Sequence, residues 1–263
     1  MITPIRTRGW LLPIVLLVLG VAAGCATSED ARIDGDPLEP TNRDIYDFND
    51  AVDRNVIKPV AEGYAAITPD FFRTGVSNFF DNVSYLNVIL NDLLQLKLLQ
   101  FLSDSGRFIV NSTIGIGGLF DPATPIGLAE NNEDLGQTFG VWGAEEGAYL
   151  TLPLIGPNAV RDAPDLPVSI LLNPLTYLGA PITVPLGILN AVNTRANLLD
   201  ATDFRDQAAL DPYTFVREAY RQRREYLIYD GNPPSDGFDE FIEEDSGSDS
   251  ESESGPGSVL KVF

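Results

Sequence analysis

A long segment without charge constrains the fold more than any other feature of this sequence. Residues 166–194 carry no charged side chain, and a run of this length can cross a bilayer. Four prolines, Pro167, Pro174, Pro181 and Pro185, interrupt it, so a single straight transmembrane helix is a poor interpretation. Three interpretations stay open: a broken helix inside a membrane, a hairpin bent near Pro181 in the bilayer interface, or a buried hairpin of a soluble domain.

The apolar side chains of this segment are the candidates for contact with lipid. The positions that we predict to seat the chain in a membrane are Leu166, Ile170, Leu172, Leu178, Ile182 and Ile188. Trp142, which adjoins a glycine, carries the kind of ring that settles at headgroup depth. Packing in a protein core is the alternative for each aromatic residue.

The amino terminus has the parts of an export signal. A short basic start precedes an apolar run at 10–21, and three small residues at 22–24 precede Cys25, the single cysteine of the chain. A small-residue site that ends on a cysteine resembles the bacterial lipobox, so we predict removal of residues 1–24 and lipidation of Cys25. An ordinary secretory signal is the alternative. Ala26 resembles the residue found after the lipidated cysteine in outer-membrane lipoproteins, and residues 25–40 are expected to form a tether.

The charge balance argues against nucleic acid as a partner. The net charge is −21, and so acidic a chain repels phosphates instead of releasing their counterions. Residues 232–263 are acidic, rich in serine and glycine, and of low complexity. We expect this tail to be disordered because it cannot bury enough apolar surface to offset its ordering entropy.

The residue types present argue against an enzyme. The chain contains no histidine, which removes the commonest general base and the imidazole ligands of zinc. The glycines at 115–118 lack the lysine and the spacing of a nucleotide-binding loop. A phospholipase-like enzyme is the rival that this excludes most directly. We therefore expect no catalytic residue, no metal and no cofactor.

Apolar spacing predicts an all-α fold with ordered loops rich in glycine and proline. Helices are expected from Pro40, with Thr41 or Asn42 as the cap, from Pro69, across 84–113 with a break at 103–106, across 133–141, and from Pro212 to about Tyr229. An extended apolar piece is expected at 148–155. On the first helix, Phe48 is expected in the core and Asn49 is expected to bond a neighbouring loop.

Six motifs in this order resemble the MlaA family, also called VacJ. They are DPLEPTNRDIYDFNDAVD at 36–53, RTGVSNFFDN at 73–82, RFIVNSTIGIGGLFDPA at 107–123, EDLGQTFGVWGAEEGAYLTLPLIGPNAVRD at 133–162, NTRANLLD at 193–200 and DPYTFVREAYRQRR at 211–224. Residues 41–231 are thus identified as one MlaA-like helical domain. Ala148 stands where the family often has proline.

The resemblance implies a flat, ring-like helical domain embedded in the outer membrane, with a central amphipathic channel. It implies a lipoprotein that removes mislocalised phospholipids from the outer leaflet and so maintains lipid asymmetry. The implied partners are phospholipids, a trimeric outer-membrane porin and a soluble periplasmic phospholipid carrier. The rival from another class is a scaffold lipoprotein that only holds porins in place, which would not need the charge-free segment.

A path for a phospholipid must solvate an anionic head while the tails stay dry. Glycine lets the backbone line such a path closely, and arginine offers paired donors to phosphate. The candidates are Gly115, Gly117, Gly118, Gly136, Gly140, Trp142, Gly143, Arg107, Arg161 and Arg217. Tight turns are the alternative for the glycines, and structural ion pairs are the alternative for the arginines.

Overall fold

The computed structural model describes residues 36–234 and confirms the prediction of an all-α fold. Cys25, the predicted signal peptide and most of the acidic tail lie outside the described residues. The helices are α1 (Glu39–Val52), α2 (Lys58–Ile67), α3 (Asp70–Leu94), α4 (Leu98–Thr113), α5 (Leu135–Val141), α6 (Asp165–Leu172), α7 (Ala180–Asn197), α8 (Leu199–Ala208) and α9 (Pro212–Ile228). Short 3₁₀ helices cover Thr124–Ile126 and Pro174–Leu178, and strands β1 (Tyr149–Leu152) and β2 (Gly156–Ala159) form an antiparallel hairpin.

A π-helical turn joins α1 and α2 into a nearly continuous helix. Residues Asp53–Ile57 form a π-helix, and the dihedral angles on both sides of it stay helical. Pro59 follows in the first turn of α2 and has no amide hydrogen to donate to the preceding turn. The wider π geometry therefore occurs where the regular hydrogen-bond ladder is interrupted.

Helices α3 and α4 form an antiparallel pair whose turn lies earlier than the sequence predicted. The expected break at 103–106 is wrong, because α4 runs through it without interruption. The chain reverses at residues 95–97 instead, where Leu96 adopts a positive φ of 60°. The amide of Lys97 donates to the carbonyl of Asp92 and closes the turn.

The α3–α4 pair buries its polar face. The buried side chains on these two helices include Asn82, Asn87, Asn91, Asp92, Asp104, Arg107 and Asn111. Several apolar side chains point outward, and Leu99 is 86% exposed, whereas Val76, Phe80 and Val88 of α3 are buried. Periodicity separates two faces of a helix but does not say which polar side chains are buried. The interior of this part of the fold therefore combines apolar contacts from α3 with many buried hydrogen bonds.

Asn42 ties the first helix to the β hairpin. Its Nδ2 donates to the carbonyl oxygen of Tyr149 at 2.9 Å, and its Oδ1 accepts from the amide of Thr151 at 2.8 Å. The prediction that Thr41 or Asn42 caps the helix is wrong, because α1 begins at Glu39 and Asn42 lies inside it.

The folded body begins before the predicted end of the tether. Asp36 is buried, accepts a hydrogen bond from Asn42 Nδ2 at 3.1 Å and also accepts one from the hydroxyl of Tyr213. The tether predicted for 25–40 is therefore wrong for its last five residues, 36–40. A proline-rich, polar segment looked unstructured, but its carboxylate is a buried hydrogen-bond acceptor.

About two turns after Asn42 on α1, Asn49 makes the contact predicted for it. Its Nδ2 donates to the carbonyl of Leu152 at 2.9 Å, and its Oδ1 accepts from the amide of Leu154 at 2.8 Å. The prediction that Phe48 lies in the core is wrong, since its side chain is 52% exposed. Because neighbouring helical residues point in different directions, the inward position of Asn49 turns Phe48 outward.

The charge-free segment folds as a bent hairpin of helices. Helix α6 ends at Leu172, a 3₁₀ turn follows, and α7 begins at Ala180 with Pro181 in its first turn. Leu178 and Ile188 are 51% and 61% exposed, and Ile170 and Ile182 are also exposed. The alternative of a buried hairpin in a soluble core is therefore wrong. Within residues 36–234, no helix has the length and apolar character needed to cross a membrane.

Candidate functional site

The candidate site is an amphipathic cavity of about 430 Å³ between α1, the β hairpin, α7, α8 and α9. The apolar residues that line the cavity, called here its apolar wall, include Ile57, Leu154, Ile155, Leu198 and Val216. Other lining residues carry charged and hydroxyl groups, among them Asp53, Thr194, Arg195, Thr202 and Arg205. A cavity with an apolar wall and a few converging polar groups is typical of a ligand site.

Arg195 and Asp53 form the best-defined polar contact of the cavity. The Nε and Nη2 atoms of Arg195 lie 2.7 and 2.8 Å from the two carboxylate oxygens of Asp53. The third nitrogen, Nη1, donates to Thr202 Oγ1 at 3.1 Å. Asp53 is the first residue of the π-helical turn, so that turn positions the carboxylate against α7. The paired geometry fixes the plane of the guanidinium.

A second guanidinium at this cavity is also balanced by carboxylates. Arg205 Nη2 lies 2.6 Å from Asp206 and 3.7 Å from Asp50. The hydrogen bond from Arg205 lowers the pKa of Asp206 below its ordinary value. Since each arginine has an acidic partner, the polar part of the cavity contains both signs of charge beside an apolar wall.

One buried hydroxyl group at the cavity, the phenol of Tyr46, makes no hydrogen bond within residues 36–234. Thr151 also lines the cavity and is almost fully buried, and its side chain bonds the phenol of Tyr149. Burial raises the pKa of Tyr46, which keeps its proton available for donation. A buried hydroxyl without a partner is costly, so the Tyr46 phenol is suited to bond a ligand in the cavity.

The three arginines predicted for a lipid path make structural contacts elsewhere. Arg107 donates to Thr124, to the carbonyl of Leu128 and to Asp121, each at 2.8 Å. Arg161 and Arg217 pair with the carboxylates that follow them in the sequence, Asp162 and Glu218. None of the three lines the amphipathic cavity. Each therefore matches the structural ion pair that was the alternative interpretation.

The predicted glycines fall into two groups, and none lines the amphipathic cavity. At Gly115, Gly118, Gly136 and Gly140, an added Cβ would collide with atoms of the fold. At Gly140, for example, it would lie 2.7 Å from Cδ1 of Ile228. Gly117 and Gly143 have open space and positive φ. Trp142 is 58% exposed at the end of α5, near Phe139.

The residues predicted to seat the chain in a membrane lie together on the α6–α7 hairpin. Ile170, Leu178, Ile182 and Ile188 are exposed, while Leu166 and Leu172 are half-buried. The structure thus brings these six residues onto one unit and separates them from the glycine and arginine candidates.

Sequence reasoning missed most of the polar groups of the cavity. Tyr46 and Asp53 stand in the first family motif, and Arg195 stands in NTRANLLD. The motif that contains Arg195 was recognised, but its pairing with Asp53 was not predicted, because 142 positions separate the two residues. Among the polar residues at the cavity, Asn49 alone had been predicted to have a role.

The fold and the cavity define a helical protein with a polar interior, outward apolar faces and an amphipathic site. A profile of the MlaA lipoprotein family matches residues 34–227. The chain belongs to this family.

Named relatives and a solved structure agree with that assignment. The chain is 34% identical over 227 residues to the intermembrane phospholipid transport system lipoprotein MlaA of Escherichia coli (strain K12), covering 84% of this chain and 90% of that protein. An uncharacterized protein of Rickettsia bellii is 36% identical over 195 residues, covering 73% and 76% of the two chains. A structure from work on the maintenance of bacterial outer membrane lipid asymmetry matches with a TM-score of 0.66 and 32% identity, covering 73% of this chain and 98% of that chain.

Proposed function

We propose that this protein is an outer-membrane lipoprotein channel that removes mislocalised phospholipids from the outer leaflet. The observation that carries the proposal is the amphipathic cavity, set in a body whose helices turn apolar faces outward. The name of the Escherichia coli relative, which refers to intermembrane phospholipid transport, supports it. In this role, the protein maintains the lipid asymmetry of the outer membrane.

The cavity matches the two parts of a phospholipid. Its apolar wall contacts acyl chains, and its arginines face the phosphate. Arg195 uses three of its N–H groups on Asp53 and Thr202, and a guanidinium has five. Two donors therefore remain for a phosphate oxygen while the Asp53 pair stays intact. The hydroxyl of Tyr46 adds an uncharged donor that also serves the ester oxygens.

The remaining features of the proposal concern location and partners. Lipidation of Cys25 anchors the chain, and the exposed α6–α7 hairpin seats the body in the bilayer. A trimeric porin is the proposed membrane partner, and a soluble periplasmic carrier receives the lipid. No bond is broken in this process, which agrees with a chain that has no histidine, so we propose that the protein is not an enzyme.

Labelling of surface phospholipid tests the proposal. Cells that lack the protein are treated with an amine-reactive reagent that does not cross membranes, and labelled phospholipid is measured. We expect labelling to rise and the wild-type gene to reverse the rise. Ala191→Trp narrows the cavity and should fail to reverse it, whereas Ala201→Trp, on exposed surface outside the cavity, should succeed.

A second pair of variants tests membrane seating. Leu178→Asp with Ile188→Asp puts two charges on the exposed hairpin and should leave labelling high. Gln207→Asp with Gln222→Asp adds the same charge at exposed polar positions and should restore the wild-type level. All variants are compared at equal outer-membrane abundance. No rise in labelling in the deletion strain would contradict transport, and full complementation by Ala191→Trp would contradict the assigned path.

A further inference from the structure

We propose that a second cavity binds the ammonium group of an amine-bearing phospholipid head, such as phosphatidylethanolamine. The cavity has a volume of about 380 Å³ and lies between α3, α6 and residues 132–134. The inference rests on the proposed function, because it names the lipid class that the protein selects. It concerns a site separate from the amphipathic cavity, since the two have no lining residue in common.

A single unbalanced carboxylate gives this cavity its charge. Asp165 Oδ1 accepts from Nδ2 of Asn87 and from the amide of Leu135, both at 3.0 Å. Neither bond brings a charge, and no lysine or arginine of the described chain lies within ion-pair distance of Asp165. Its second oxygen accepts no hydrogen bond from residues 36–234 and is left for a ligand. Asn87 is buried and holds the carboxylate in place.

The two other carboxylates at this cavity are paired with cations that lie outside it. Glu133 lies 2.8 Å from Nζ of Lys97, and Asp134 lies 2.8 Å from Nη2 of Arg224. No lysine or arginine is among the residues that line the cavity. The local charge is therefore negative, which attracts a cation and repels a phosphate.

The uncharged groups around Asp165 suit an ammonium, which has three donors and no acceptor. The hydroxyls of Ser169 and Thr176 donate to the carbonyls of Leu166 and Ile170. Their oxygens are thus left as acceptors on the cavity side. Asp165 and two hydroxyl oxygens match the three N–H groups of a primary amine.

The apolar neighbours indicate a lipid and not a free amine. Ile170 and Leu172 line the same cavity, and both belong to the hairpin whose apolar side chains are exposed. A head group that enters with its glycerol and acyl chains gains contact with these side chains. A small free amine gains only the polar contacts.

Binding of two lipids with different heads tests the inference. The full-length lipidated protein in detergent is titrated with phosphatidylethanolamine and phosphatidylglycerol that carry the same fluorescent acyl chain. We expect phosphatidylethanolamine to bind about tenfold more tightly. Asp165→Asn should remove this preference by weakening phosphatidylethanolamine alone, whereas Asp44→Asn, at an exposed carboxylate, should preserve it.

A second variant is needed because Asp165 also bonds the first residue of α5, so misfolding of Asp165→Asn would reduce binding too. Ser84 lines the cavity and is exposed, so Ser84→Lys should fold and place its own ammonium in the site. We expect it to lower phosphatidylethanolamine affinity about tenfold without weakening phosphatidylglycerol.

The outcomes separate this inference from the proposed function. Equal affinities for the two lipids in the wild type, or an unchanged preference in both variants, would overturn the ammonium site and leave transport intact. Free ethanolamine that competes at the concentration of the lipid would overturn the lipid as the source of the amine. Failure of the protein to bind either lipid would contradict the proposed function itself.

Discussion

Arg195 and Asp53 meet through two parallel hydrogen bonds although 142 positions separate them in the chain. This pair joins the π-helical turn to α7 at the edge of an apolar wall. A lone carboxylate or guanidinium there would lose its partner while remaining largely shielded from water. The pair thus stabilises the cavity and also presents donors inside it.

Truncation of Arg195 should therefore destabilise the protein. We expect Arg195→Ala to lower the free energy of unfolding by about 2 kcal/mol, and Arg195→Lys by about 1 kcal/mol because lysine lacks the planar fork. Urea unfolding in detergent measures both. Equal stability of the wild type and Arg195→Ala would show that the ion pair contributes nothing to the fold.

Asn42 offers a second stability test at the contact between α1 and the β hairpin. Asn42→Ala removes the partners of the Tyr149 carbonyl and the Thr151 amide at once. We expect a loss of about 2–4 kcal/mol, since each buried polar group left without a partner costs about 1–3 kcal/mol. Thr41→Ala, at an exposed position on the same helix, should change stability by less than about 0.5 kcal/mol. Similar losses in the two variants would rule out a specific role for the Asn42 side chain.

Local signals in the sequence predicted several helices well. The starts of α3 and α9 were found because proline and apolar spacing mark them, and the helix at 133–141 was found with a difference of two residues. The buried polar side chains of the α3–α4 pair were not predicted. Apolar spacing marks a stripe on each helix but does not show which polar side chains are buried as well.

The residues of the amphipathic cavity were harder to predict from the sequence than the helices. Its polar groups come from three separate parts of the chain, which are α1 with the π-helical turn, strand β1, and the consecutive helices α7 and α8. Glycine and arginine were chosen by residue type, but the chosen arginines are neutralised by carboxylates and the chosen glycines lie outside the cavity. A residue type indicates what a side chain is able to bind, whereas its neighbours decide whether it is free to do so.

Gly117 and Gly118 are adjacent in the chain but differ in how closely the fold packs around them. Gly117 and Gly118 both have positive φ, of 69° and 91°, so alanine is strained at each. At Gly118 an added Cβ would also lie 2.5 Å from Cβ of Asn82, while at Gly117 nothing lies within 4 Å. We expect Gly117→Ala to cost about 1 kcal/mol and Gly118→Ala about 3 kcal/mol in unfolding experiments. Equal costs would contradict the close contact between Gly118 and Asn82.

The buried carboxyl group of Asp92 predicts an unusual dependence of stability on pH. Burial, together with the neighbouring Asp104 and Glu133, raises the pKa of Asp92 to about 8. Asp104 already accepts hydrogen bonds from Tyr85 and Asn131, so its carboxylate is the acceptor in the Asp92–Asp104 pair. The proton of this pair therefore stays on Asp92. The unfolded chain loses this proton near pH 4.

The sign of the effect follows from the number of protons bound by each state. Between about pH 4 and pH 8 the folded protein holds a proton at Asp92 that the unfolded chain has released, so stability falls as the pH rises. Asp81, whose pKa burial raises to about 6, adds to the fall only in the lower part of this range. The decline between pH 6 and pH 8 is therefore assigned to Asp92.

Replacing Asp92 by asparagine should remove that decline. The amide is uncharged at every pH and has N–H groups to donate to the neighbouring Asp104. We expect Asp92→Asn to be about 2 kcal/mol more stable than the wild type at pH 8 and nearly equal to it at pH 4. Urea unfolding at half-unit steps from pH 5 to pH 8.5 provides the measurement, with Asp44→Asn as the exposed control. If the wild type and Asp92→Asn run parallel across this range, the buried carboxyl does not hold a proton in the folded state, and the polar interior of the α3–α4 pair must balance its charge in another way.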